Sequence, residues 1–110
     1  MANQKQLNQM MRQMQKVQAE MAAAQDELAT ALVEGTAGGG KVTAVATGAG
    51  DLQTVRISAD VVDPDDVEML EDLVVAAVGE ALRHAQELQA ERMGAVTGGV
   101  DLGGLGGMLG

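Results

Sequence analysis

Apolar residues recur through the first third of the chain at alternating intervals of three and four: Leu7, Met10, Met14, Val17, Met21, Ala24, Leu28 and Ala31. This is the a/d spacing of a helix with one narrow apolar seam, and no Pro or Gly interrupts it between Asn3 and Leu32. The Gln, Met, Ala, Glu and Lys between the seam positions are good helix formers. About thirty residues at 1.5 Å rise make a rod of roughly 45 Å, longer than a compact domain of this size requires. Such a rod must cover its seam with another part of the chain or with a second copy.

The rest of the composition makes that demand sharper. A chain of 110 residues forms one domain at most, and it has no Phe, Tyr or Trp to fill a core. Its interior must be thin and built from Ala, Val, Leu and Met. Thin interiors favour oligomers, because a second subunit covers surface that a monomer cannot. Cysteine is absent, which removes disulfides and thiolate metal sites. The start of the chain is polar, with no apolar stretch behind Lys5, so no signal peptide is read. The longest apolar run, Leu73 to Val78, is too short to span a bilayer. The expectation is a cytoplasmic protein with no membrane partner.

The net charge is −9, which by itself argues against nucleic acid as a partner. The charge is segregated, however. Residues 1–19 carry Lys5, Arg12 and Lys16 and no acid, whereas the following 91 carry four basic and sixteen acidic side chains. With Leu7 as a heptad a position, Lys5 and Arg12 fall at f and Lys16 at c, on one stripe facing away from the seam. Asn and Gln surround them. A phosphate-contacting face is one reading and a solvated helix surface the other, and spacing alone leaves both open.

Beyond the helix, Leu32 to Thr36 reads as a short strand and Gly38-Gly39-Gly40 as a tight reversal. A glycine triplet can cradle phosphate, but no Gly-Lys-Ser/Thr follows, since Lys41 precedes Val42. Lys41 to Thr47 alternates as a half-buried strand, and Gly48 to Asp51 is a hairpin turn. Leu52 to Ser58 is a third strand, with Gln53, Val55 and Ile57 on one face. Three short strands on tight turns make an antiparallel meander, and its small residues imply close-lying long helices. After Ala59 to Val62, the run Asp63-Pro64-Asp65-Asp66 is a helix start, with Asp63 as cap and Pro64 in the first turn. Its acids lack the spacing of a calcium loop.

A second helix is expected from Pro64 to about Met93, with room for a break near its start. Its apolar stripe is wider than one seam, so cover on more than one side is expected. Gly79 in its interior costs about 1 kcal/mol relative to Ala, which a close crossing at a symmetric dimer interface would explain. His84 is the only histidine and has no Cys or second His nearby. No catalytic, metal or cofactor site and no small-molecule ligand is expected, and the chain does not read as an enzyme. Gly94 is the expected C-cap, so residues 1–94 form one domain and 95–110 a flexible Gly-rich tail.

Taken in order, several short patterns resemble the YbaB/EbfC family of bacterial nucleoid-associated proteins. These are Met10-Met11-x-x-Met14-Gln15, Gly35-x-x-Gly38-Gly39-Gly40-x-Val42 and the Gly48-x-Gly50 hairpin. Leu70-Glu71-Asp72-Leu73-Val74-x-Ala76 and Met93-Gly94-x-x-Thr97-Gly98-Gly99 complete the set. The resemblance implies an α+β subunit: a long N-terminal helix, a three-stranded antiparallel meander and a long C-terminal helix. It also implies a tweezer-like homodimer in the nucleoid, binding duplex DNA through basic and polar residues on helical arms. Carried onto this chain, the arm positions are Lys5, Arg12 and Lys16, with Arg83 and Arg92 on the second helix. The chain departs from the family in being poor in lysine along that second helix. Modest affinity is therefore expected, and broad specificity because the sequence shows no recognition helix of known type and no aromatic residue for stacking. The rival reading is a dimeric scaffold that binds another protein through the seam or tail, with DNA binding incidental.

Overall fold

The computed structural model describes residues 3–98. The elements are α1 (Gln4–Thr30), β1 (Leu32–Ala37), β2 (Val42–Thr47), β3 (Leu52–Ile57), a 3-10 turn (Ala59–Val61) and α2 (Val67–Gly98). The α+β class and the antiparallel meander, in the order β1-β2-β3, match the expectation. Residues 99–110, most of the expected tail, lie outside the described residues.

The helix α1 begins where Asn3 caps it, its Oδ1 accepting from the Gln6 N–H at 2.8 Å. The last carbonyls of a helix need donors, and here the β2–β3 turn supplies them. Gly48 N–H donates to Ala31 O at 2.8 Å and Ala49 N–H to Leu28 O at 3.1 Å. A Cβ on Gly48 would stand 3.0 Å from Leu28 O, Leu28 Cδ2 and Leu88 Cδ2, so a side chain at this junction would crowd all three. From α2, Gln89 Nε2 donates to Gly48 O at 2.7 Å. Helix, turn and helix are thus tied at one point.

The sheet owes its core to small residues. Val42, Ala44 and Ala46 of β2 meet Ala77 and Ala81 of α2, and all five are fully buried. On β1, Gly35 comes into backbone contact with α2, because a Cβ there would lie 2.2 Å from Ala77 O and 2.3 Å from Ala81 N. The expected triple-glycine reversal is present, with φ of 62°, 67° and 90° at Gly38, Gly39 and Gly40. In β3 the register slips between Val45 and Ala46, so that Ala46 pairs with Leu52 while Val45 pairs with Thr54. Gln53 is the extra residue of a bulge. Leu52 therefore shares the inner face with Val55 and Ile57, in place of Gln53 as alternation suggested.

The start of α2 also differs from expectation. Asp66 is the cap, its Oδ1 accepting from Met69 N–H at 3.2 Å, and the helix begins three residues after Pro64. Asp63 instead closes a local turn, accepting from the Asp65 N–H at 2.9 Å. At the other end α2 passes through Gly94 to Gly98, so Gly94 is not the C-cap. Only α2 covers the sheet broadly. It then runs antiparallel to the C-terminal half of α1, where Ala24 and Leu28 are the buried seam positions. Residues 3–16 are exposed throughout. The radius of gyration is 21.2 Å, against about 13 Å for a compact chain of this length.

Candidate nucleic-acid interface

Two seam positions of α1, Ala24 and Leu28, are buried, and the side opposite the seam is exposed. Lys5, Arg12 and Lys16 stand there, exposed, and none has a carboxylate within ion-pair distance among the described residues. Their spacing of seven and four residues keeps them within about 40° of one another around the helix and spreads them over about 16 Å along it. Gln4, Asn8 and Gln9 line the same surface around Lys5 and Arg12. Arg12 and Lys16 share the next stretch with Gln13, Val17 and Glu20. Glu20 is the first acid of the helix, and the first turn carries none. From Lys5 to Glu20 is about 22 Å along the axis, more than twice the Debye length at physiological salt. The positive end of the helix dipole adds to the attraction for an anion at that tip.

Arg83 and Arg92 do not join this stripe. Arg92 Nη1 reaches Glu27 Oε2 at 3.4 Å, tying α2 to the base of α1. Glu27 is eleven residues beyond Lys16, or about 16 Å along the helix. Arg83 stands over the sheet region, with Nε 3.9 Å from Glu87 Oε1 one turn along α2. Both remain solvent-exposed, but each meets an acid first.

The other polar contacts serve the fold. Lys41 pairs with Asp60, whose second oxygen accepts from the Ser58 hydroxyl. The Lys41 contact, then the Ser58 hydroxyl, lowers the Asp60 pKa to about 2. His84 Nδ1 lies 2.6 Å from Glu34 O, where a carbonyl can only accept, so that nitrogen carries the proton and holds α2 against β1. Among the described residues no group of His, Cys, Asp and Glu is arranged to hold a metal ion. Among the described residues no helix is long and apolar enough to cross a membrane. The remaining cation, Arg56, lies opposite Thr43 on the sheet face away from α2. Strand alternation placed it there, but nothing in the sequence marked it as functional.

A profile of the YbaB/EbfC DNA-binding family matches residues 3–100. The chain belongs to that family. It is 57% identical over 104 residues to a nucleoid-associated protein of Saccharopolyspora erythraea, a match covering 91% of this chain and 90% of that one. A nucleoid-associated protein of Thermoanaerobacter pseudethanolicus is 52% identical over 90% of this chain and 89% of its own. A relative from Chloroflexus aurantiacus with the same description is also 52% identical, over 89% and 95%. The fold is also similar to the crystal structure of an uncharacterized protein from Helicobacter pylori, with a TM-score of 0.65. That match covers 83% of this chain and 92% of the other at 16% identity, and so speaks to fold alone. The family is a nucleoid-associated, DNA-binding one, which is the class the ordered sequence patterns implied.

Proposed function

We propose that two copies of this chain associate and hold duplex DNA between their exposed N-terminal helical arms, with Lys5, Arg12 and Lys16 as the phosphate contacts. The observation that carries this reading is the unpaired basic stripe on an otherwise acidic chain. Acids crowd the start of α2 (Asp63, Asp65, Asp66, Glu68, Glu71 and Asp72), so the head repels a polyanion and contact is confined to the arms. Arg83 and Arg92 contribute less, because binding there competes with Glu87 and Glu27.

Apolar surface left open on the head supports the dimer. Leu52 and Ile57 on the inner face of β3 are exposed, and Val75 of α2 is 72% exposed. One turn beyond Val75, Gly79 has nothing within 4 Å of where a Cβ would stand. A second subunit seated there would cover these residues and give Gly79 the close crossing that its helix-propensity cost calls for.

With no aromatic side chains to stack on bases, the interface reads charge and shape, so affinity is modest and specificity broad. The protein then works without catalysis, among chromosomal DNA in the cytoplasm. Six basic side chains per dimer set an upper slope of about −5 for log K against log salt, at about −0.9 per phosphate contact. The test is binding of a labelled random-sequence duplex across a salt series, with the wild type and the Lys5→Glu/Arg12→Glu/Lys16→Glu variant. Steep salt dependence that disappears in the variant is expected. Binding that is absent at low salt, or unchanged in the variant, rejects the reading and favours a scaffold for another protein.

A further inference from the structure

Ala24 and Leu28 are the buried seam positions of α1, and Ala95 and Val96 of α2 border the same surface at Ala23, Ala24 and Glu20. Toward the N-terminus the seam continues through Val17, Met14, Met10 and Leu7, of which Met10 and Met14 are 60% and 61% exposed. The margins of this open half matter as much as the seam. In the heptad frame with Leu7 at a, its e and g positions are Gln4, Gln6, Met11, Gln13 and Gln18, and none is charged. The three charges between Gln4 and Ala19 are Lys5, Arg12 and Lys16, all at f or c. In an antiparallel pair of identical helices, e borders e and g borders g, so a charge at either margin would face a like charge. Neutral margins remove that repulsion.

We infer that the open seams of two copies pack against each other, arm on arm and antiparallel. With the twofold axis at the level of Arg12, Leu7 packs against Val17 of the other copy and Met10 against Met14. Repeated in reverse, this gives four apolar layers made from seam positions that lie outside the buried base. The overlap runs from Gln4 of one arm to Glu20 of the other, about 24 Å, and stops where α2 starts to border the seam. Charge selects the antiparallel course. Each tip, with Lys5 and the positive end of the helix dipole, comes beside Glu20 of the other copy, the first acid of the helix. A parallel pair sets like dipole ends together and two acidic heads side by side. The surface is separate from the head face of the proposed dimer, so the pairing links one dimer to the next. It leaves both basic stripes uncovered on the outer faces. Four layers rich in Met make a small, adaptable contact, with a dissociation constant on the order of tens of micromolar.

Because the chain has no cysteine, single substitutions report the register directly. Full-length Met10→Cys and Met14→Cys proteins, mixed in equal amounts and oxidised, should give a mixed disulfide exceeding either symmetric one at least about fivefold, since position 10 faces position 14. A random mixture, or dominance of the Met14→Cys homodisulfide as a parallel pair requires, overturns the inference. Sedimentation across a concentration series gives a second readout. The wild type should show a species twice the mass of the next smaller one. Met10→Glu with Met14→Glu, at exposed positions, should move its formation at least about tenfold higher in concentration. A larger species unchanged by that variant, or none at about ten times the expected constant, overturns the inference. Both measurements are made without DNA, so they succeed or fail independently of the phosphate contacts.

Discussion

The head and the exposed half of α1 follow opposite rules from similar materials. In the head, Ala44, Ala46, Ala77 and Ala81 are small so that backbones can approach, and Gly35 takes this to direct backbone contact. Every added atom there is an intrusion. Along residues 3–16 nothing is packed, side chains are long, and positions differ only in which way they point around the helix. The head is specified by volume and the rod by azimuth. A chain without aromatic residues can afford one thin, dense core, and it spends its remaining length on a surface rather than on more interior.

Substitutions can separate the two regimes. Gly35→Ala should have the largest effect, because the new methyl meets backbone on both sides and α2 must lift from the sheet. A loss of more than about 3 kcal/mol is expected in urea unfolding. A mild effect would mean that α2 slides easily over β1. Next, Leu28→Ala at the buried base of α1 should cost about 2–3 kcal/mol, whereas Met11→Ala on the exposed half should stay within about 0.5 kcal/mol. Equal costs would erase the distinction between base and rod.

Gly79→Ala is smaller and tests the proposed pairing. The subunit has room for the methyl, and the helix should gain about 1 kcal/mol. If a second subunit crosses there, sedimentation should show the dimer dissociation constant rising about fivefold, near 1 kcal/mol. A higher melting temperature with unchanged self-association would leave that face of α2 outside the pairing.

The smallest effect is at Lys41 and Asp60. The Asp60 pKa is lowered from 3.8 to about 2, so its contact contributes above about pH 4 and is lost as pH falls through about 2. Lys41→Met should return the carboxyl midpoint toward 3.8 in an NMR titration while leaving stability at neutral pH little changed, as expected of an exposed pair.

Most of the fold was legible because its signals are local. The seam, the glycine reversal and the strand alternation each rest on a few neighbouring residues. Where reading failed, two local answers were equally good or a distant residue decided. Asp63 and Asp66 can both cap, and only the three-dimensional course of the Pro64 turn selects Asp66. An extra residue such as Gln53 leaves the strand pattern intact while shifting which side chains face inward. Gly94 is an ordinary helix stop, yet α2 passes through it. Of the candidate interface, Lys5, Arg12 and Lys16 were readable because a heptad frame gives direction around a helix. The ion pair of Arg92 with Glu27, sixty-five residues away in sequence, was not, because it exists only once α1 and α2 are laid side by side.

The junction at Gly48 has a mechanical consequence. The Gly48 and Ala49 N–H groups close there on the last turn of α1 and Gln89 ties the turn to α2, so the junction acts as the fulcrum of a lever whose free length, from Glu20 to Gln4, is about 24 Å. A rotation of 10° at that hinge swings the tip by about 4 Å, more than the 3.4 Å per-strand charge spacing along a DNA duplex. In the proposed dimer, the gap between two such levers is therefore calibrated far from its opening, by the stiffness of a glycine turn in the head.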